Sequence, residues 1–191
     1  MGKGRLEAFS DGVFAVIITI MVLELNVPHG SDMAALRPVI PVFLSYALSF
    51  TFVGIYWNNH HHMLHAAHRV NGWVLWANLH LLFWLSLVPF ITAWMGENHR
   101  VILPVALYGS VLFMSGLAYY ILARALVALH GRDSALAIAL GKDFKGQASL
   151  VIYAIAVALS FVNSWISIAL YITVAVMWFV PDRRIENTIA K

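Results

Sequence analysis

The chain has 191 residues, 61% of them hydrophobic and 11% charged, with a formal charge of +3. A soluble domain carries about 25% charged residues, so this much apolar surface belongs in a bilayer, and the small positive charge reads as a membrane-topology signal, not as a nucleic-acid patch. The absence of cysteine excludes a disulfide framework, a thiolate metal site and a cysteine nucleophile.

A spanning helix needs about 20 mostly apolar residues, and six stretches are predicted to provide one each. The first, Leu6–Leu25, carries Glu7, Asp11 and Glu24 and has no small-residue cleavage site behind it. It reads as a retained helix, not a cleaved signal. A polar run from Asn26 to Asp32, with Pro28 and Gly30, closes it. The second stretch is Pro38–Trp57, with Pro38 and Pro41 near its start, where proline is tolerated. The third, Val70–Met95, contains Pro89, which predicts a kink. The fourth, Val101–Ala128, has Pro104 in its first turn. The fifth, Ala148–Val162, and the sixth, Trp165–Val180, are joined only by Asn163-Ser164 and are each shorter than 20 residues. Helices satisfy their backbone groups internally in lipid and open strands do not. The apolar runs also lack the period-two alternation of a barrel.

Lys and Arg set the orientation. With six spans and the N-terminus inside, Lys3, Arg5, Arg69, Arg124, Arg132, Lys142, Lys145, Arg183, Arg184 and Lys191 fall on the cytoplasmic side, and only Arg37 and Arg100 fall outside. The expected architecture is an all-α membrane protein with six transmembrane helices per protomer and both termini cytoplasmic. No repeat or linker divides residues 1–191, so a single six-helix transmembrane domain is expected.

The first helix places ionisable residues at membrane depth, where they are costly and usually face a bundle interior or water. Arg5 and Asp11 are six residues apart, about 240° around a helix, and so cannot pair along one face. Asp11 is expected to meet donors from another helix or subunit. Val16, Thr19, Ile20 and Leu23 fall on one stripe by helical spacing. The spacing alone is compatible with packing against neighbouring helices or with lining a path.

The segment Arg5-Leu6-Glu7-Ala8-Phe9-Ser10-Asp11 resembles the signature of the transmembrane protein 175 family of potassium channels: an Arg, three variable residues, then Phe-Ser-Asp at the start of the first helix. The predicted span layout and the histidine-rich second loop are similar too, so the resemblance covers essentially the whole chain. It implies a potassium-permeable cation channel of the prokaryotic plasma membrane, with K+ as permeant ion. It implies a homotetramer whose first helices line the pore at the symmetry axis, the constriction being apolar. Carried over by position, the lining residues are Val16, Thr19 and Leu23, with Ile20 on the same stripe. Val16 is smaller than the Ile or Leu usual at its position. Glu24 would concentrate cations at the outer mouth. The carbonyl filter of ordinary potassium channels needs a Thr-Val-Gly-Tyr-Gly loop, whereas Leu107-Tyr108-Gly109-Ser110 lies within a predicted helix.

His61, His65 and His68 follow i, i+4, i+7 spacing in the run Asn58 to Arg69. Such spacing can bind zinc or haem, but local hydrogen bonding at an interfacial helix end explains it without a metal, and no cofactor is expected. His80, inside the third span, is a candidate donor to Asp11, completing an inner polar network of Arg5, Phe9, Ser10, Asp11 and His80. The alternative function is a proton- or metal-coupled transporter using the histidine-rich loop. An enzyme is not expected, since no nucleophile–base pair is visible at equal depth on two helices. Lipid is the expected surround and nucleic acid is not an expected partner.

Overall fold

The computed structural model describes residues 3–131, 133–141 and 143–179, all of whose regular structure is helical. The helices are α1 (Gly4–Leu23), α2 (Val39–Ala66), α3 (Gly72–Ser86), α4 (Val88–Glu97), α5 (Ile102–His130), α6 (Ala135–Leu140), α7 (Phe144–Ser160) and α8 (Ser164–Phe179). Their ends follow from local chemistry. Asn71, Ser134 and Asp143 cap α3, α6 and α7 by accepting from the backbone N–H three residues on. Gly131, at a φ of 94°, ends α5. Pro89 has no N–H to donate to Leu85 and its ring crowds that carbonyl. The third span accordingly breaks at Leu87, which donates to the Trp84 carbonyl at 3.2 Å.

The expectation of six transmembrane helices is corrected. Among the described residues four helices are long and apolar enough to cross a membrane: α1, α2, the α3–α4 pair taken as Gly72–Glu97, and α5. Helices α7 and α8 have 17 and 16 residues. At the α-helical rise they measure about 26 and 24 Å, short of a hydrocarbon core about 30 Å thick. Sequence reasoning counted them because their apolarity is as high as that of the longer helices. The opposite error falls on α2, which continues nine residues beyond Trp57 to Ala66 and carries the histidine run with it.

α5 packs on α3, α7 and α8, α2 packs on α1 and α4, and a continuous apolar core joins them. The basic end of the bundle is tied together. Lys3 Nζ donates to the Leu64 and His65 carbonyls at 3.0 and 3.1 Å. Arg69 donates to the Leu129 carbonyl at 2.9 Å. The starts of α1 and α3 and the ends of α2 and α5 thus share one end, which gathers Lys3, Arg5, Arg69 and Arg124. Arg132, Lys142, Arg183, Arg184 and Lys191 lie outside the described residues.

Candidate pore helix and its polar anchor

Helix α1 has two faces. Leu6, Ser10, Phe14, Ile17 and Met21 are buried against the bundle. The other face is open in the protomer: Phe9 is 55% exposed, Val16 53%, Ile20 42% and Leu23 78%. The expected stripe is therefore left largely open by the described residues of its own chain. Ser86, Pro89, Phe90 and Ala93 flank it, so stripe and α3–α4 break border one open groove. Thr19, also exposed, donates its hydroxyl proton to the Ala15 and Val16 carbonyls at 3.1 and 2.9 Å. Its oxygen lone pairs are left outward as acceptors. Glu24 is the exposed C-cap of α1.

The basic half of α1 is fastened by polar side chains. Ser10 Oγ, fully buried, donates to the Leu6 carbonyl at 2.8 Å and accepts from Asn78 Nδ2 at 3.0 Å. Asn78 Oδ1 lies 2.7 Å from His60 Nε2. Because that oxygen can only accept, His60 Nε2 carries the proton. Phe14 lies against the His60 ring at 5.6 Å. Asp11 Oδ1 accepts from Trp57 Nε1 at 3.0 Å. Lys3 pairs with Glu7 at 3.4 Å, a partly exposed surface pair of small energetic weight. Above Asp11 the helix is held by apolar side chains, Phe14, Ile17 and Met21 buried and Val13 and Ile18 partly buried against the core.

Of the sequence-derived network, Ser10 is buried in the bundle and Asp11, though exposed, accepts from Trp57 of α2, while Phe9 and Arg5 are exposed. Among the described residues Arg5 has no hydrogen-bond or ion-pair partner. His80 does not reach Asp11. It accepts from Trp84 Nε1 at 3.0 Å, one turn along its own helix. Of the histidines, His61 and His65 stack at 6.2 Å on α2. The helix stops at Ala66, so His68 leaves their face and lies by His130, with ring centroids 6.3 Å apart. Among the described residues no group of three His, Cys, Asp or Glu side chains comes together to hold a metal. The partners that sequence reasoning missed are Trp57, His60 and Asn78. His60 falls seven residues after Val53 and four before Leu64, both fully buried core residues. A polar residue in an apolar register was the available signal.

Comparison with known proteins decides the family. Residues 5–89 match the profile of the endosomal/lysosomal potassium channel TMEM175. A protein from Chryseobacterium sp. (strain P1-3), named as a potassium channel, is 53% identical over 189 residues, covering 99% of this chain and 98% of that one. The chain belongs to the TMEM175 family. Its fold matches the crystal structure of a lysosomal potassium-selective channel TMEM175 homolog from Chamaesiphon minutus, with a TM-score of 0.76 at 27% identity over 93% of this chain and 96% of that one. The human endosomal/lysosomal proton channel TMEM175 is 38% identical over 96 residues, 44% of this chain and 19% of that protein. TMEM175 proteins are ion channels, which is not an enzyme class, and this member is a helical membrane protein. The stretch matching the TMEM175 profile contains the Ser10–Asn78–His60 and Asp11–Trp57 bonds of the anchor but not Lys3.

Proposed function

We propose that the protein is a potassium-permeable cation channel of a prokaryotic plasma membrane, conducting along the open stripe of α1 at the axis of a homotetramer. The observation that carries this reading is the apolar row of Phe9, Val16, Ile20 and Leu23, which is exposed on α1 and borders the open groove beside the α3–α4 break. The naming of the Chryseobacterium and Chamaesiphon relatives as potassium channels supports it. One helix per protomer encloses no pore, so closed symmetry is needed to surround the path. In that arrangement Val16, Ile20 and Leu23 form apolar rings that restrict flow by dewetting. Thr19 offers a ring of outward oxygens between them, and Glu24 a ring of carboxylates at the mouth. The basic end faces the cytoplasm.

Flux into liposomes under potassium or sodium gradients tests the reading. Cation flux favouring potassium is expected. Leu23→Ala or Val16→Ala should raise the rate severalfold and blunt the preference. Purified protein without cation flux rejects the channel, and both variants behaving as wild type rejects this lining.

A further inference from the structure

At the basic end of the bundle, one histidine ring joins the end of α5 to the loop between α2 and α3. His130 Nδ1 lies 2.9 Å from the Leu126 carbonyl oxygen, one turn back on α5. Its Nε2 lies 3.0 Å from the backbone N of His68 and 3.3 Å from that of Arg69. Each partner has a fixed role. A carbonyl only accepts, so Nδ1 carries a proton. A backbone N–H only donates, so Nε2 presents its lone pair to both amides. One tautomer of the neutral ring satisfies all three contacts.

A proton gained by this ring goes to Nε2 and makes both nitrogens donors. The contact with the loop then sets one N–H against two others, and both amides lose their acceptor. The Nδ1 bond to Leu126 is made in either charge state, so the ring keeps its place and the loop is what lets go. His68 and Arg69 are exposed, while Ala67 and Val70 on either side are buried in the core. Release is therefore a local opening of two exposed amides between seated neighbours, not an unfolding of the bundle. The loop also brings the His68 ring, its centroid 6.3 Å from that of His130, and the Arg69 guanidinium on the Leu129 carbonyl. The last turn of α2 brings His65 and, bound to its carbonyls, Lys3 with Glu7. Helix α5 itself carries Arg124, and Asp133 follows its end. Of these groups only His65 and His68 belong to the residue type that changes charge between about pH 5 and 8.

We propose that His130 is a pH-operated latch, fastening the α2–α3 loop to the end of α5 while its ring is neutral and releasing the loop when Nε2 is protonated. The sign follows from the bonding: the fastened state belongs to the neutral ring, so it is present at higher pH and lost as pH falls. The latch is separate from the stripe of α1, and it stands or falls independently of conduction.

The test uses the full chain in lipid nanodiscs and reads amide hydrogen exchange of residues 66–71 by mass spectrometry at about pH 7.5 and about pH 5. Each rate is divided by the chemical exchange rate of the free peptide at the same pH, which leaves protection alone. Protection in the parent protein should fall about tenfold or more at the lower pH, the effect of losing two ordinary hydrogen bonds. His130→Gln cannot gain a proton and should show the same protection at both pH values, whatever its level. The double variant His65→Gln/His68→Gln removes the neighbouring titrations and should keep the parent's fall. Equal protection at both pH values in the parent, a fall that persists in His130→Gln, or a fall abolished in the double variant overturns the proposal.

Discussion

Asn78 is the residue on which the anchoring of α1 turns, because its single amide satisfies two buried groups on two other helices. Asn78→Ala strands His60 Nε2, at a cost of about 1–3 kcal/mol for an unpaired buried group, and removes one of the two bonds of Ser10 Oγ, which keeps the Leu6 carbonyl. Trp57→Phe removes only one bond to an exposed carboxylate and should cost about 0.5–1.5 kcal/mol. Thermal unfolding in detergent ranks them, and an equal or smaller loss for Asn78→Ala would contradict this account. Ser115 gives the opposite expectation. Its hydroxyl is fully buried and without a partner among the described residues. Ser115→Ala should leave stability unchanged or raise it by up to about 1 kcal/mol, and a melting temperature clearly below wild type would refute that. The motif residues were legible as a pattern, but their partners were not. A hydrogen bond between Ser10 and Asn78 spans 68 positions, and no local periodicity encodes it. His61 and His65 drew notice by spacing, whereas His60, the histidine that is buried, sits beside them without a motif of its own.

At the scale of elements, composition revealed apolar segments well and their lengths poorly. The four long helices were all foreseen, since each carries its own breakers, such as the Asn26–Asp32 run and Pro89. The count failed at α7 and α8 because apolarity says what a segment tolerates and only length says what it can cross. How closely helices approach was hidden as well. A Cβ on Gly96 would lie 2.9 Å from Val42 Cα, and one on Gly109 would collide with the Tyr171 hydroxyl. That hydroxyl donates to the Val105 carbonyl at 3.1 Å, and Tyr108 beside it bonds Ser49 at 2.9 Å. The Tyr-Gly pair in α5 is thus a seat for α8 and α2, not a filter. Gly96→Ala must push α4 off the α2 backbone, and overpacking of this kind costs about 1–3 kcal/mol. A thermal unfolding midpoint equal to wild type would show that the two helices part freely.

At the scale of the molecule, the described residues of the protomer leave the apolar stripe of α1 largely open. The proposed tetramer encloses it, and chemical cross-linking in membranes should give a ladder ending at four copies. A ladder ending at two would contradict an axis lined by single helices. Membrane residence followed from composition, and family membership from four residues at one helix start. The sidedness of α1 emerged only when its neighbours were in place. That sidedness makes α1 a cantilever. It is clamped by Ser10, Asp11 and Lys3 at one end and, beyond Asp11, rests on side chains that can slide. From Asp11 to Glu24 the arm is about 20 Å long, so a tilt of about 5° at the clamp displaces the tip by about 1.7 Å. Four such arms leaning together would change the bore at Leu23 far more than at Phe9. Small strains in α2, which holds the clamp through Trp57 and His60, would therefore be read out at the opposite end of the pore.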